Sequence, residues 1–222
     1  VGVARNRRSG AAVRDPDLCP SVAVPLTALV PDITTPVRTS AEYPLFWFYV
    51  PYSLNPSSSD APNSNALNSN APDANGDRPP IPTTYKLKFV LQDERYNDIY
   101  QTQFALPETT PPGVISLRLR SPKAALQVGK RYHWYFLIYC NDPKEIYEPA
   151  FVAGVVQRDG LSQEWQQKMM QSTLEERLLR YAEAGLWFDF LAAVEASRSQ
   201  LSPTSTNDYW AQALQAIGLE EN

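Results

Sequence analysis

The side chains best able to do chemistry lie together in one short run, residues 130–140. The run reads Lys-Arg-Tyr-His-Trp-Tyr-Phe-Leu-Ile-Tyr-Cys and holds the only histidine, His133, and one of the two cysteines, Cys140. Nucleophilic catalysis needs a nucleophile with a base in reach. His133 shares its strand face with tyrosines, and no Gly-x-Ser-x-Gly turn accompanies it. We therefore assign no catalytic residue and expect a protein that is not an enzyme.

No other combination of residues indicates a cofactor or a metal ion. The nine glycines are not clustered, which excludes a glycine-rich phosphate loop, and two cysteines with one histidine are too few ligands for zinc. Two acidic groups in predicted turns offer oxygen ligands for calcium: Asp93, Glu94 and Asp98, and Asp142, Glu145 and Glu148. Turns collect acidic residues for backbone reasons, so we predict no cofactor and no metal, with calcium as the open alternative.

The run 130–140 alternates as a β-strand does, because successive side chains of a strand point to opposite faces. One face carries Tyr132, Trp134, Phe136, Ile138 and Cys140, and the other carries His133, Tyr135, Leu137 and Tyr139. We interpret the first face as core. For the second face we predict an aromatic surface formed by His133, Tyr135 and Tyr139, the alternative being a histidine satisfied within the sheet.

Further strands are predicted around this one by alternation and flanking turn residues. They are residues 24–30, 43–52, 85–91, 100–106, 114–120 and 149–158, with a hairpin turn at 93–97. The spacing of Leu126, Gly129 and Tyr132 before the aromatic strand is typical of a tyrosine corner. Seven strands of this kind predict an antiparallel β-sandwich of the immunoglobulin-like or fibronectin-like type.

After residue 159 the apolar period changes from 2 to 3.6 residues, which predicts helices. Ser172 and Glu175 are placed as a capping box for one of them, Pro203 closes the segment 186–199, and a last helix spans 206–217. The chain is thus predicted to be mainly β with an α tail. Its parts are an extended basic arm (1–23), a sandwich (24–158) with an Asn/Ser/Pro-rich insertion loop (55–82) and a helical subdomain (159–222).

Charge and hydropathy exclude two classes of partner. The net charge of −4 disfavours a general nucleic-acid binder, which needs a basic face. No apolar stretch is long enough to span a bilayer, so we expect a protein that is not membrane-spanning. The arm carries a local group of basic residues, interpreted as solvated, with a polyanion or lipid contact as the alternative: Arg5, Arg7, Arg8 and Arg14. The first residue is Val1, so the chain is either a mature product of a cleaved signal peptide or a trimmed sequence.

The two cysteines, Cys19 and Cys140, are far apart in sequence. In an oxidising compartment they would form one disulfide that ties the arm to the sandwich. The alternative is a pair of buried thiols. A bridge that closes so long a loop contributes about 4 kcal/mol in the chain-entropy model.

The chain resembles the cyanobacterial family known as domain of unknown function 928. The matching stretches are Leu-Thr-Ala-Leu-Val-Pro (26–31), Phe-Trp-Phe-Tyr-Val-Pro-Tyr (46–52), Phe-Val-Leu-Gln-Asp (89–93), Gly-Val-Ile-Ser-Leu (113–117), Val-Gly-Lys-Arg-Tyr-His-Trp-Tyr (128–135) and Gly-Leu-Trp-Phe-Asp (185–189). The resemblance implies an exported protein with no assigned activity, found in the periplasm, at the cell surface or outside the cell. Export favours the disulfide between Cys19 and Cys140.

Two functions are predicted from these observations. The first is a structural protein that self-associates, as a filament subunit whose arm and first strand are donated to a neighbour. The residues assigned to this contact are Arg5, Arg7, Arg8, Val24, Leu26, Ala28 and Val30. The alternative for residues 24–30 is pairing within their own sandwich. The second function is a binding module whose aromatic face takes a cell-surface polysaccharide.

Overall fold

The structure is a computed structural model that describes residue 22 and residues 24–31, 36–52, 86–105, 111–140, 149–197 and 203–216, with backbone only for 203–208 and 216. The strands are β1 (Thr27–Ala28), β2 (Val37–Thr39), β3 (Leu45–Val50), β4 (Lys86–Gln92), β5 (Asp98–Ala105), β6 (Gly113–Arg118), β7 (Arg131–Tyr139) and β8 (Ala150–Arg158). The helices are α1 (Gln163–Gln171), α2 (Leu174–Glu183), α3 (Trp187–Ala196) and α4 (Pro203–Ala216), and Pro122–Ala124 form a short 3-10 turn.

The strands form two sheets, and the four helices follow them at the C-terminal end. A three-stranded sheet has the order β1-β3-β6, and a five-stranded sheet has the order β2-β8-β7-β4-β5. The described pairs are antiparallel except for β2, which runs parallel to β8 with Val37 opposite Val156. The prediction of a mainly β chain with an α tail is confirmed, but the prediction of a wholly antiparallel sandwich is wrong at β2.

An aromatic core joins the two sheets. Phe48 of β3 stacks on Phe136 of β7, with ring centroids 4.0 Å apart, and Phe46 lies 5.0 Å from Phe89 of β4. The predicted inward face of the aromatic strand is confirmed, since all five of its residues are buried: Tyr132, Trp134, Phe136, Ile138 and Cys140. Burial of large aromatic side chains is the main source of stability in such a core.

Helices α3 and α4 cover the outer face of the three-stranded sheet. Trp47 on that face meets Trp210 of α4 edge-on at 5.2 Å, and Leu191 of α3 belongs to the same apolar cluster. Trp187 donates a hydrogen bond from Nε1 to the carbonyl oxygen of Leu29, 2.7 Å away. Strand β3 is therefore apolar on both faces because its own chain covers both.

A carboxylate joins α3 to the strand β2. Asp189, in the first turn of α3, accepts hydrogen bonds from the Thr39 hydroxyl (2.7 Å), from the Ser40 backbone N–H (3.0 Å) and from the Ser40 hydroxyl. The Thr39 side chain is fully buried. This junction fixes the position of the helical subdomain against the five-stranded sheet.

The sequence spacing at Tyr132 does produce the hydrogen bond of a tyrosine corner. The Tyr132 hydroxyl accepts from the backbone N–H of Gln127 at 3.0 Å. Leu126 is buried, and Gly129 has φ +79°, a conformation that favours glycine. The corner thus pins the connection between β6 and β7 to the start of β7.

Replacement of Tyr132 by phenylalanine is expected to lower the free energy of unfolding by about 1–2 kcal/mol, because the Gln127 N–H loses its acceptor while the ring stays packed. Equilibrium urea denaturation measures the change. Tyr43→Phe, which alters a partly buried tyrosine beside the core, is the matched control and should change stability by less than about 0.5 kcal/mol. Equal effects of both substitutions would contradict a role for the corner.

Two local predictions in the helical tail are wrong. The capping box is formed by Thr173 and Glu176, one residue later than Ser172 and Glu175. The Ser172 hydroxyl instead donates to the carbonyl oxygen of Lys168 in α1. Pro203 begins α4 and does not close the preceding segment, which is reasonable because proline is tolerated in the first turn of a helix.

Candidate interaction surfaces

The outer face of the five-stranded sheet carries the predicted aromatic surface. His133, Tyr135, Leu137 and Tyr139 alternate with the core residues of β7, and all four are half-buried. On the neighbouring strand β4, Gln92 lies opposite His133, and Val90 lies opposite Tyr135. The structure thus brings His133, Tyr135 and Tyr139 into one row along the middle of this face.

The turn between β4 and β5 covers the His133 end of the row. The rings of Tyr96 and His133 are stacked, with centroids 4.2 Å apart and planes inclined by 22°. Asp93 holds this turn, since its carboxylate accepts from the backbone N–H groups of Arg95 (2.8 Å) and Asn97 (2.9 Å) and from the Asn97 side chain (2.9 Å). The Asn97 hydrogen bonds lower the pKa of Asp93.

The acidic residues of this turn accept hydrogen bonds from the turn itself and from the adjoining strands β4 and β7. Glu94 accepts from the backbone N–H of Arg131 at 3.2 Å, and Asp98 accepts from the Gln92 side chain at 2.7 Å. Within the described ranges no cluster of three or more potential metal ligands occurs. The second acidic group, Asp142, Glu145 and Glu148, lies outside those ranges.

His133 is expected to titrate below its ordinary value of 6.5, because burial lowers its pKa more than the carboxylates of Asp93 and Glu94 raise it. Below pH 6.5 the unfolded chain then binds this proton more readily than the folded chain, so the free energy of unfolding falls as the pH falls. His133→Gln should remove this contribution. The chain has a single histidine, so the imidazole signals in an NMR spectrum need no residue assignment. Their change with pH gives the pKa of His133. A value above 6.5 would contradict the expectation.

A second surface is the free edge of β5. Strand β5 is the last strand of the five-stranded sheet, and in the described part of the chain only β4 pairs with it. The 3-10 turn Pro122–Ala124 contacts β5 without pairing with it. From residue 99 to residue 105 the strand carries no charged side chain and no proline.

The open edge leaves core-facing side chains of β5 incompletely covered. Tyr100 and Phe104 face the core opposite Leu91 and Leu87, both fully buried, yet they remain half-buried themselves. Phe104 contacts the buried Phe136 at 6.2 Å between ring centroids. The apolar core between the two sheets is therefore partly accessible to solvent along this edge.

The segment predicted to be donated, residues 24–30, pairs with a sheet of its own chain. Thr27 and Ala28 pair with Tyr49 and Phe48 of β3. Leu26, Ala28 and Val30 are 0–2% exposed, and Val24 is half-buried. The arm residues Arg5, Arg7 and Arg8 lie outside the described residues, as does Cys19. Cys140 is buried at the end of β7, and its disulfide with Cys19 stays a prediction.

Together these features describe a two-sheet, mainly β protein with helices on one face and two surfaces suited to protein or ligand contact. The chain belongs to the family described as Domain of Unknown Function (DUF928), whose model matches residues 9–222. Among curated proteins none matches this chain. None of the helices in the described ranges combines the length and hydropathy that crossing a bilayer requires.

Proposed function

We propose that this protein is a non-enzymatic structural protein that acts outside the cytoplasm and self-associates. The observation that carries the proposal is the outer edge of β5, with which no strand in the described ranges pairs. Residues 99–105 of this eight-residue strand are uncharged. Natural sheets protect their edges with charges, prolines, bulges or very short strands, because an open edge pairs with other chains. Apart from Asp98 and the register irregularity at the start of the strand, β5 has none of these features, and such an edge fits a strand that is used for association.

The proposal extends to a filament subunit whose arm is donated to a neighbour. Donation of residues 24–30 would move Leu26, Ala28 and Val30 from the position that they fill in their own chain into a neighbour, so each subunit would have to open before it associates. Pairing through β5 leaves the core of each subunit in place. The free edge is therefore the better-supported route to association.

The test is the mass of the unreduced native protein in solution across a range of micromolar concentrations, measured by sedimentation velocity. We expect species larger than the 24.9 kDa monomer that increase with concentration, and negative-stain microscopy should then reveal regular particles or fibres. A clean monomer at every concentration would overturn the proposed function.

We propose further that the chain is exported and that Cys19 and Cys140 form a disulfide. The burial of Cys140 at the end of β7 supports the pairing, because a cysteine there is sheltered from solvent reductants. Alkylation of the denatured, unreduced protein followed by mass spectrometry tests it. We expect no alkylated cysteine without reductant and two with it, and two alkylated cysteines without reductant would contradict the disulfide.

The proposed finer fold is an immunoglobulin-like sandwich. The orders β1-β3-β6 and β8-β7-β4 correspond to the A-B-E and G-F-C orders of that fold. Tyr132 at the start of β7 also occupies the place of its corner tyrosine. An experimentally determined strand order that differs from this one would contradict the assignment.

A second candidate function is a binding module for cell-surface polysaccharide. The row of His133, Tyr135 and Tyr139 on an outer sheet face favours it, because aromatic rings offer apolar faces for stacking. The test is the thermal stability of the protein with and without soluble polysaccharides. We expect a concentration-dependent rise in Tm that Tyr135→Ala abolishes, and no rise with any polysaccharide would exclude this function.

A further inference from the structure

We propose that β5 pairs antiparallel with β5 of a second copy of this chain, with Thr102 at the two-fold axis. The pairing would join two five-stranded sheets into one continuous ten-stranded sheet. This inference rests on the proposed self-association and specifies its partner and register.

The first support is the sequence of the strand, which is self-complementary about Thr102. Residues 100–104 read Tyr-Gln-Thr-Gln-Phe, so an aromatic residue and then a glutamine flank Thr102 on each side. A strand that pairs antiparallel with its own copy brings residues equally far from the axis opposite each other. The register about Thr102 therefore opposes aromatic to aromatic and glutamine to glutamine.

The second support is the geometry of a symmetric pair. Residues opposite each other in an antiparallel ladder point to the same face of the sheet. A two-fold axis perpendicular to the sheet preserves this match when the axis lies midway between a residue and the same residue of the second copy. With the axis at Thr102, residues 99–105 of one copy lie opposite residues 105–99 of the other, and all of them are uncharged. Asp98 lies outside this overlap. The irregularity in the β4–β5 register, between Leu91 and Gln92, also lies beyond residues 100–104.

The third support is the burial of the side chains that would meet. On the core-facing side, Tyr100 would lie opposite the second copy's Phe104, and both are half-buried in one chain. On the outer side, Gln101 would lie opposite the second copy's Gln103, and both are exposed. Aromatic, threonine and amide cross-strand pairs stabilise antiparallel sheets. The contact would complete the cover over the part of the core that the free edge leaves open.

The pairing also has a consequence for the aromatic face. A two-fold axis perpendicular to the sheet places the outer faces of both copies on the same side of the joined sheet. The two rows of His133, Tyr135 and Tyr139 would then form one extended surface, with the four glutamines of the contact between them.

Charge substitutions at the two exposed glutamines test this register. In Q101K/Q103K each lysine at one position faces a lysine of the second copy, and like charges directly opposite are destabilising. In Q101E/Q103K each glutamate faces a lysine of the second copy, while position 103, opposite Lys88 of the same chain, carries a lysine in both variants. Because both side chains are exposed in one chain, both variants should keep the circular dichroism spectrum of the parent protein, and any cost of a lysine at position 103 opposite Lys88 of β4 is common to both.

We expect Q101K/Q103K to raise the dimer dissociation constant at least about tenfold in sedimentation equilibrium, and Q101E/Q103K to stay near the parent value. Equal association of all three proteins would overturn the β5 contact while leaving self-association standing, through the arm or another surface. Equal weakening of both variants would overturn the register about Thr102. A monomeric parent would overturn the proposed function itself.

Discussion

Replacement of Trp134 by alanine is expected to lower the free energy of unfolding by about 3–5 kcal/mol, the range for truncating a fully buried large aromatic side chain. Trp134 is 0% exposed and meets Phe46 and Phe48 of the opposite sheet edge-on, each at 5.9 Å between ring centroids. It therefore joins the two sheets at the centre of the core, where the surrounding rings cannot collapse into the space left. Equilibrium denaturation in guanidinium measures the loss.

Trp134→Phe is the matched control for this substitution. Phenylalanine leaves a smaller void, and it also removes the indole N–H, which has no hydrogen-bond acceptor among the described residues. An unsatisfied buried donor costs about 1–3 kcal/mol, so part of the lost packing is offset. We expect Trp134→Phe to cost less than half as much as Trp134→Ala. A loss below about 1 kcal/mol for the alanine variant would show that the core is not organised around Trp134.

Replacement of Asp189 by alanine is expected to cost about 2–4 kcal/mol, because hydrogen bonds to a charged group contribute about 1.5–3 kcal/mol each and are not additive. The variant leaves the buried Thr39 hydroxyl and the Ser40 N–H without the carboxylate that accepts from them. The loss should appear in chemical denaturation. It should also appear as faster amide exchange in α3, because the helix loses its attachment to the end of β2.

Two variants separate this junction from a general charge effect. Asp189→Asn keeps one carbonyl acceptor in place and should recover about half of the loss. Glu175→Ala removes an exposed carboxylate from the first turn of α2 and should change stability by less than about 0.5 kcal/mol. An equal cost for Glu175→Ala and Asp189→Ala would mean that Asp189 acts only through the helix dipole.

Elements with strong periodicity were predictable from the sequence. Strand β7 and its two faces follow directly from alternation over nine residues, and the β4–β5 hairpin follows from two alternating runs around a polar turn. The capping box was misplaced by one residue because Ser172 and Thr173 both have a glutamate three residues later. They differ only in the folded chain, where the Ser172 hydroxyl donates to the carbonyl oxygen of Lys168 at the end of α1 and Thr173 is left to cap α2.

Features that depend on sheet order could not be predicted. Strand β2 has three residues, too few for a period, and its parallel pairing with β8 joins segments more than a hundred residues apart. The edge position of β5 is likewise a property of the sheet, although the absence of charge from residue 99 to residue 105 was visible in the sequence. No sequence pattern pointed to Asp189, because Thr39 and Ser40, which donate hydrogen bonds to it, come close only in the folded chain.

The cover over Trp47 has a consequence for synthesis of the chain. Trp210, which meets Trp47 of β3 on the outer face of the three-stranded sheet, belongs to α4 and is synthesised only after β8. Until α4 emerges, a nascent chain exposes this tryptophan face, and transiently exposed apolar surface promotes aggregation. A chaperone that binds apolar segments would therefore find a target in β3 until α4 docks.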